Sequence, residues 1–261
     1  MQNLAADAPP SPALARRDWL RLGLTLALAS ASQALRAQTP ARVLVYGDDA
    51  YAPVIYLQDG RPQGFLVDVL RRVEARNTNG ITFDLELMPW SRAYLLASRG
   101  KGGLIGVSRN QERDALFDFS RPIYSDDIRV VVLKGKAFPF RDLPDLRGKR
   151  IGGVTGASYG ERVDAAIRDG NLVIDRDIGA ASRLRKLAAG HLDAALIGNG
   201  ERGLEWLLAH DPRLAEYRDR FEILPTPLTH DPLHLAFLKS MQQRSFLDAF
   251  DAATKALALQ V

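Results

Sequence analysis

Strand-like and helix-like segments alternate along most of the chain, and the alternation runs through a full cycle twice. The first cycle has strand patterns at 42–46 (RVLVY), 81–87 (ITFDLEL) and 103–107 (GLIGV), with helix patterns at 64–73 and 91–99 between them. In the first of these helices Phe65, Val69 and Val73 lie four residues apart and therefore share one face. Strands separated by helices tend to pair in parallel, so the pattern predicts an α/β unit around a mainly parallel sheet.

The second cycle begins after a β-rich run at 128–133 (IRVVVL). Its members are strand patterns at 149–154, 171–175 and 192–197 and helix patterns at 160–169, 182–189 and 201–209. Two proline-bearing segments, 139–144 and 225–232, interrupt the periodicity and are typical of connections. The 261 residues are therefore expected to build two α/β units of about a hundred residues each.

The composition is that of an ordinary globular protein, with 46% hydrophobic and 25% charged residues. The formal net charge is +4, but the basic residues are scattered, so nucleic acid is not expected as a partner. Cysteine is absent, which excludes disulfides, thiolate metal sites and a lipid-modified N-terminal cysteine. No cofactor or metal is expected either, because Pro232 separates His230 from His234 and no carboxylate cluster completes a site.

Residues 1–37 have the organisation of an export signal peptide. A charged segment with Arg16 and Arg17 precedes an apolar stretch too short to span a bilayer, and small residues suited to cleavage after Ala34 or Ala37 follow. The arginine pair resembles a twin-arginine export motif, and an ordinary secretory leader is the alternative. The mature protein is therefore predicted to be periplasmic, soluble and without a lipid anchor.

Several short motifs occur in one order along nearly the whole mature chain. They are Tyr51-Ala52-Pro53, Gly64-Phe65 with Asp68, Pro89-Trp90, Asn110 with Arg113, and the segments 117–124 (FDFSRPIY), 145–152 (DLRGKRIG), 155–158 (TGAS) and 190–194 (GHLDA). Together they resemble the polar amino acid type solute-binding proteins of ABC importers, the periplasmic solute-binding family 3.

This resemblance implies an α/β fold of the periplasmic binding protein-like type II, with two α/β lobes joined by two crossing hinge segments. Lobe 1 would comprise 41–124 and 232–261, and lobe 2 would comprise 129–224. The hinges would lie near 125–128 and 225–232. A monomer is expected, which would close on a small-molecule ligand and then present it to a membrane ABC permease.

The resemblance also assigns a carboxylate site. Arg113 would hold the ligand carboxylate, a task that suits a planar and permanently charged guanidinium, and Ser108 would offer a hydroxyl or main-chain amide to the same group. Ser158 lies between a predicted strand and a predicted helix, where amides at the helix N-terminus favour an anion. The alternatives are a surface ion pair of Arg113 with Glu112 or Asp114, a strand-end serine and a helix N-cap.

Two aromatic residues complete the site that the resemblance implies. Tyr51 and Trp90 would sandwich the rest of the ligand, and the alternative is that both are core residues. Asn110 lies in the same motif as Arg113 and departs from the family, which has threonine at this position.

The clearest departure from the family pattern is Gly198. In the family, this place carries the carboxylate that binds the amino group of the ligand. Unless Glu201 or Asp127 substitutes, the sequence predicts a ligand with a carboxylate or another anion but without a conventionally bound amino group.

Two enzymatic alternatives remain open at this point. The string 156–160 (GASYG) matches the G-x-S-x-G pattern of serine hydrolases, with Ser158 as nucleophile and Asp193 and His230 following in hydrolase order. A binding-protein-fold dehydratase would need an acid in the cleft, for which Glu201 is the candidate. The protein is nevertheless predicted not to be an enzyme, and a role as a sensor is a third possibility.

Overall fold

The computed structural model describes residues 42–76 and 81–257. The predicted signal peptide lies outside these residues. Within them, no helix is long and apolar enough to cross a membrane.

The described residues form thirteen strands and seven α-helices, which alternate as the sequence predicts. The strands are β1 (Arg42–Asp48), β2 (Ala50–Tyr51), β3 (Ile55–Gln58), β4 (Arg61–Gln63), β5 (Thr82–Met88), β6 (Gly103–Ser108), β7 (Phe117–Phe119), β8 (Tyr124–Leu133), β9 (Ile151–Val154), β10 (Ile174–Asp177), β11 (Ala194–Ile197), β12 (Phe221–Ile223) and β13 (Thr229–Leu238). The helices are α1 (Phe65–Arg76), α2 (Trp90–Ser98), α3 (Gln111–Leu116), α4 (Glu161–Arg168), α5 (Ala180–Ala188), α6 (Gly200–His210) and α7 (Arg244–Ala256). Short 3₁₀ helices cover Leu143–Leu146, Pro212–Tyr217 and Lys239–Met241.

Ten strands form one mixed sheet, in which β8 and β13 lie at the centre. Its order is β10-β9-β11-β8-β13-β6-β1-β5, with β12 also paired to β8 and β7 to β13. The first-cycle strands β1 and β5 pair in parallel, as do the second-cycle strands β9, β10 and β11. We call the side with β1, β5, β6 and β7 the first lobe and the side with β9 to β12 the second lobe.

The two lobes are joined where β8 and β13 run antiparallel to each other. Their paired residues extend from Tyr124 with Leu233 to Ile128 with Thr229. Beyond this stretch β8 pairs with β11 and β12 in the second lobe, and β13 pairs with β6 and β7 in the first. Both chain crossings are therefore strands. The residue ranges that the family resemblance implies for the lobes and hinges stay a prediction.

Each lobe has its own buried apolar core. In the first lobe the apolar face of α1 packs with Phe237 of β13 and with Leu247 and Phe250 of α7, so the C-terminal helix returns to this lobe. In the second lobe the two faces of the sheet bury separate clusters, one around Val130 and one around Leu184. A further cluster of the first lobe, around Trp90 and Phe117, is contacted by Val154 and Ala157 of the second lobe, so the two lobes meet at this cluster.

Candidate functional site

A cavity of about 90 Å³ lies between the two lobes. The first lobe contributes residues near the ends of β1 and β6, together with β2 and the start of α2, and the second lobe contributes the loops after β9, β10 and β11. Half of the lining residues are aliphatic, and the others include three carboxylates, three aromatic rings and two serines. The apolar members include Ile55, Ile105, Ile128, Leu196, Ile197, Leu207 and Leu233. A space of this size holds several water molecules or a small solute group.

Hydrogen bonds between the lobes hold this cavity closed. The Tyr51 hydroxyl donates to Asp126 on β8. Trp90 Nε1 donates to the carbonyl oxygen of Gly156 at 3.0 Å, and Asn110 Nδ2 donates to Asp164 Oδ2 at 2.8 Å. The structure therefore places three residues of the predicted site where the two lobes meet, namely Tyr51, Trp90 and Asn110.

Arg113 is buried on α3, with 4% of its surface exposed. Its Nη1 donates to the Ser108 carbonyl at 3.0 Å, and its Nη2 donates across the boundary to the Gly156 carbonyl at 3.1 Å. The guanidinium also lies over the rings of Trp90 and Tyr94, at 5.7 and 5.0 Å from their centroids. These partners are neutral, and the surface ion pair considered as an alternative does not form.

The position of Arg113 is fixed by the start of its own helix. Asn110 is the N-cap of α3, and its Oδ1 accepts from the main-chain amide of Arg113 at 2.8 Å. The side chain of Arg113 does not line the cavity itself. It lines a neighbouring outer cleft together with Asn110, Ser158 and Asp164.

Ser158 sits before α4, where the sequence predicts an anion site. Its hydroxyl donates to Asp164 of the same helix, and the main-chain amide of Tyr159 donates to the other carboxylate oxygen of Asp164 at 3.0 Å. The amide of Gly160 donates to the Ser158 hydroxyl at 3.2 Å. In this arrangement a carboxylate of the chain itself occupies the helix start.

Gly198 is closely surrounded, and its surroundings explain the missing acid. A Cβ built on Gly198 would collide with the Tyr51 hydroxyl and lie 2.7 Å from Asp126 Oδ2. Asp126, which is 2% exposed, accepts from Tyr51 at one oxygen and from the amide of Asn199 at the other. Neither Glu201 nor Asp127 lines the cavity. A buried carboxylate that sequence reasoning missed, Asp126, therefore lies beside Gly198.

Two further carboxylates line the cavity, and no sequence motif predicts them. Asp231 on β13 is 4% exposed and accepts from the Ser108 hydroxyl at 2.5 Å. Asp48, at the end of β1, accepts from the amide of Ala50 at 3.0 Å. Burial raises the pKa of Asp48 and of Asp231 to about 7, and it raises the pKa of Asp126 to about 6.

The cation that lines the cavity among the described residues is Arg183, and it is already neutralised. Its Nε and Nη2 donate to the two oxygens of Asp177 at 3.1 and 2.9 Å, and its Nη1 donates to the Leu196 carbonyl. Both side chains of the pair are 3% exposed. The formal charge of the lining is therefore negative.

The serine hydrolase pattern is not assembled. Ser158 donates to Asp164, whereas Asp193 pairs with Arg150 and His230 pairs with Asp127. A catalytic triad requires these three residues to be linked by hydrogen bonds, and here each has a different partner.

Two α/β lobes that are joined by two crossing strands and enclose a cavity at their boundary define a type II periplasmic binding fold. The family model of bacterial extracellular solute-binding proteins, family 3, matches residues 43–259, and the chain belongs to this family.

Solved structures share the fold at low sequence identity. A histidine kinase sensor domain with similarity to periplasmic binding proteins is 21% identical, with a TM-score of 0.69 over 84% of this chain and 90% of that one. An ancestral arginine-binding protein is 20% identical, with a TM-score of 0.68 over 83% and 92%. The arginine-, lysine-, histidine-binding protein ArtJ from Geobacillus stearothermophilus is 22% identical, with a TM-score of 0.66 over 83% and 89%. No curated protein sequence matches the chain.

Proposed function

We propose that this protein is an exported, periplasmic solute-binding protein that captures a small solute between its lobes and delivers it to an ABC-type permease. The observation that carries the proposal is the cavity, which residues of both lobes line and which hydrogen bonds between the lobes close. Family membership supports the same function. So do the structural relatives that bind arginine or related amino acids.

In the proposed cycle, the solute binds to one lobe while the lobes are apart, and closure then buries it against the other. Such a shift requires the solute to bind the closed form more tightly than the open form. Burial removes water from the site, and this strengthens every charged contact made there. The permease would then recognise the closed shape.

Arg113 is proposed to bind a carboxylate of the solute. Because its Nη2 bond to Gly156 joins the two lobes, separation of the lobes frees that donor for an incoming anion. Asn110 and the rings of Trp90 and Tyr94 keep the guanidinium in place meanwhile. A fixed planar fork matches a carboxylate well.

Thermal unfolding in the presence of single solutes tests this proposal. Amino acids, keto acids, dicarboxylates and amines would be screened, because a ligand at a hundred times its Kd stabilises the folded state by about 2.7 kcal/mol. We expect Arg113→Ala to abolish the shift produced by a carboxylate-bearing solute. Arg42→Ala, which removes an exposed arginine paired with Asp84, serves as the control and should keep the full shift.

The anchor role of Arg113 fails if Arg113→Ala binds the solute as tightly as the original protein. The binding function itself fails if no solute of the screen changes the midpoint of unfolding.

The similarity to a kinase sensor domain supports a second candidate, in which the captured solute is reported to a signalling partner instead of being transported. Uptake of the identified solute separates the two candidates. A transport role predicts that cells without this protein lose high-affinity uptake, whereas a sensing role predicts that uptake persists.

A further inference from the structure

We propose that Asp164 determines the specificity of this site by competing with a carboxylate of the solute for the hydrogen-bond donors of Asn110 and Ser158. In the closed form without solute, the Asp164 side chain takes the place of that carboxylate and fastens the two lobes together. This inference rests on the function proposed above, because it names a residue that sets the affinity of the same site for an anion.

Three hydrogen-bond donors converge on Asp164, and they come from both lobes. Asn110 Nδ2, at the start of α3 in the first lobe, donates to Asp164 Oδ2 at 2.8 Å. The Ser158 hydroxyl of the second lobe donates to the same oxygen, and the main-chain amide of Tyr159 donates to Oδ1 at 3.0 Å. Both oxygens of one carboxylate are therefore bound, as those of a captured solute carboxylate would be.

These bonds use the donors that a solute carboxylate would need. A serine hydroxyl has one proton to donate, and that of Ser158 goes to Asp164. The side-chain amide of Asn110 has two protons to donate, and its Nδ2 contacts both Asp164 and, at 3.4 Å, the Ser158 hydroxyl oxygen. A solute carboxylate can therefore bind to these donors only after Asp164 has released them.

The position of Ser158 brings Asp164 into competition with a solute in the cavity. Ser158 is 7% exposed and lines both the cavity and the outer cleft of about 290 Å³ that Arg113 and Asp164 also line. The charges of Arg113 and Asp164 both act on the pKa of Asp231 in the cavity wall, which Arg113 lowers and Asp164 raises. An anion that reaches Arg113 therefore also meets the negative charge of Asp164, and like charges repel.

A second acid of α4 makes a parallel contact between the lobes. The main-chain amide of Gln111 in α3 donates to Glu161 Oε2 at 2.8 Å. Glu161 is exposed and also pairs with Arg168, whereas Asp164 is half-buried, so we assign the larger effect to Asp164. Because hydrogen bonds to a charged acceptor are stronger than those between neutral groups, the lobes can close without an anion from outside.

The alternative is that Asp164 only fastens the loop before its own helix. Ser158 and Tyr159 belong to that loop, and a local role would involve these two residues alone. The bond from Asn110 separates the two roles, because Asn110 belongs to the other lobe and also positions Arg113 through its Oδ1. A local role predicts that a variant of Asp164 loses stability without any change in the separation of the lobes or in the binding of anions.

Asp164→Ala with added acetate tests the inference before the solute is known. Acetate carries the carboxylate that the substitution removes, and acetamide is its neutral counterpart. We expect small-angle X-ray scattering of solute-free Asp164→Ala to give a larger radius of gyration than that of the original protein. Acetate should restore the smaller radius and raise the midpoint of thermal unfolding of this variant, whereas acetamide at equal ionic strength should do neither. The original protein should respond to neither compound.

The same variant should change the preference among the solutes screened above. A carboxylate-bearing solute should bind Asp164→Ala at least tenfold more tightly than the original protein, whereas an amine without a carboxylate should gain no affinity. Asp175→Ala is the control, because Asp175 belongs to the same lobe, pairs with Lys186 and lines neither the cavity nor the outer cleft. If Asp164→Ala does not fold, Asp164→Ser replaces it with the same expectations, since serine also leaves room for acetate.

Each other outcome overturns a stated part. An unchanged radius of gyration in folded Asp164→Ala overturns the fastening of the lobes and assigns Asp164 to the local role. A response to acetate that is absent from the variant, or equal in the variant and the original protein, overturns the competition. Failure of every solute to bind overturns the proposed function, and the acetate measurement still decides the role of Asp164 separately.

Discussion

Two arginines of the described ranges, Arg113 and Arg183, are almost fully buried, and their surroundings differ in kind. Arg183 has a carboxylate partner, Asp177, and all of its hydrogen bonds lie within the second lobe. Arg113 has carbonyl oxygens as hydrogen-bond partners, and they belong to both lobes. A buried charge that is neutralised within one lobe stabilises that lobe, whereas a buried charge without a counter-ion at the boundary is available to a ligand. Among the cavity carboxylates, Asp126 belongs to the second kind, because its hydrogen-bond donors are a tyrosine hydroxyl and a main-chain amide.

The largest effect on stability is expected at the neutralised pair. Arg183→Ala would leave Asp177 as a buried charge without its partner, which costs about 3–5 kcal/mol in the free energy of unfolding. Arg113→Ala removes a cation that has no carboxylate partner and should cost about 1–3 kcal/mol. Urea unfolding measures both values, and a larger loss for Arg113→Ala than for Arg183→Ala would reverse the distinction.

A matched control for this comparison is Arg150→Ala. Arg150 also pairs with a carboxylate, Asp193, but the side chains are 60% and 42% exposed. An exposed pair contributes about 0–1 kcal/mol, so this variant should unfold almost like the original protein.

The next effect is a dependence of stability on pH. Asp48, Asp126 and Asp231 have folded-state pKa values of about 7, 6 and 7, above the usual value of 3.8, so the folded state holds more protons than the unfolded state between about pH 4 and 7. The stability of the solute-free protein should therefore fall as pH rises through this window, by up to about 1.4 kcal/mol per pH unit for each group. The charged or titratable groups that act on these carboxylates are Asp49, Tyr51, Arg113, Asp127, Asp164 and Arg183.

Urea unfolding at pH 5, 6 and 7 measures this dependence. Asp126→Asn should reduce the slope of the profile at the acid end of this window, because one of the three titrating carboxylates is gone while Asp48 and Asp231 still titrate. A profile that rises with pH in this window would contradict this prediction. It would show that folding lowers the pKa of the cavity carboxylates, as a cation paired with them would do.

The smallest effect is expected at the hydroxyl that joins Tyr51 to Asp126. Tyr51→Phe removes one of two donors to a buried carboxylate and should cost about 1 kcal/mol. It should also raise the pKa of Asp126 further, because that hydrogen bond lowers it. Tyr124→Phe is the control, since the Tyr124 hydroxyl donates to the amide oxygen of Asn199 and to no carboxylate. Equal pH profiles for the two variants would contradict the role of Tyr51.

The sequence predicted the fold far better than the chemistry of the cavity. The helix expected at 64–73 is α1, and the strand expected at 42–46 is β1, because periodic apolar residues determine such elements locally. The family motifs likewise led to the correct fold class and family. Short strands such as β7 were not predicted, because three residues are too few to show an alternation of apolar and polar side chains.

Asp126 could not be assigned from sequence for a physical reason. Its role depends on the space that Gly198 leaves on another part of the chain and on the Tyr51 hydroxyl, which approaches from β2. Only the three-dimensional packing brings these residues together. Asp164 was missed in the same way, since nothing in its position on α4 indicates that it binds Ser158.

The pairing of β8 with β13 has a mechanical consequence. A two-stranded antiparallel ribbon resists stretching along its length but twists readily, because twisting leaves its ladder of hydrogen bonds intact. The lobes would therefore swing apart by rotation about the ribbon, with little sliding, and each would move as a rigid body. Stiffening this ribbon by an added crosslink would slow both opening and closing without touching a single residue of the cavity wall.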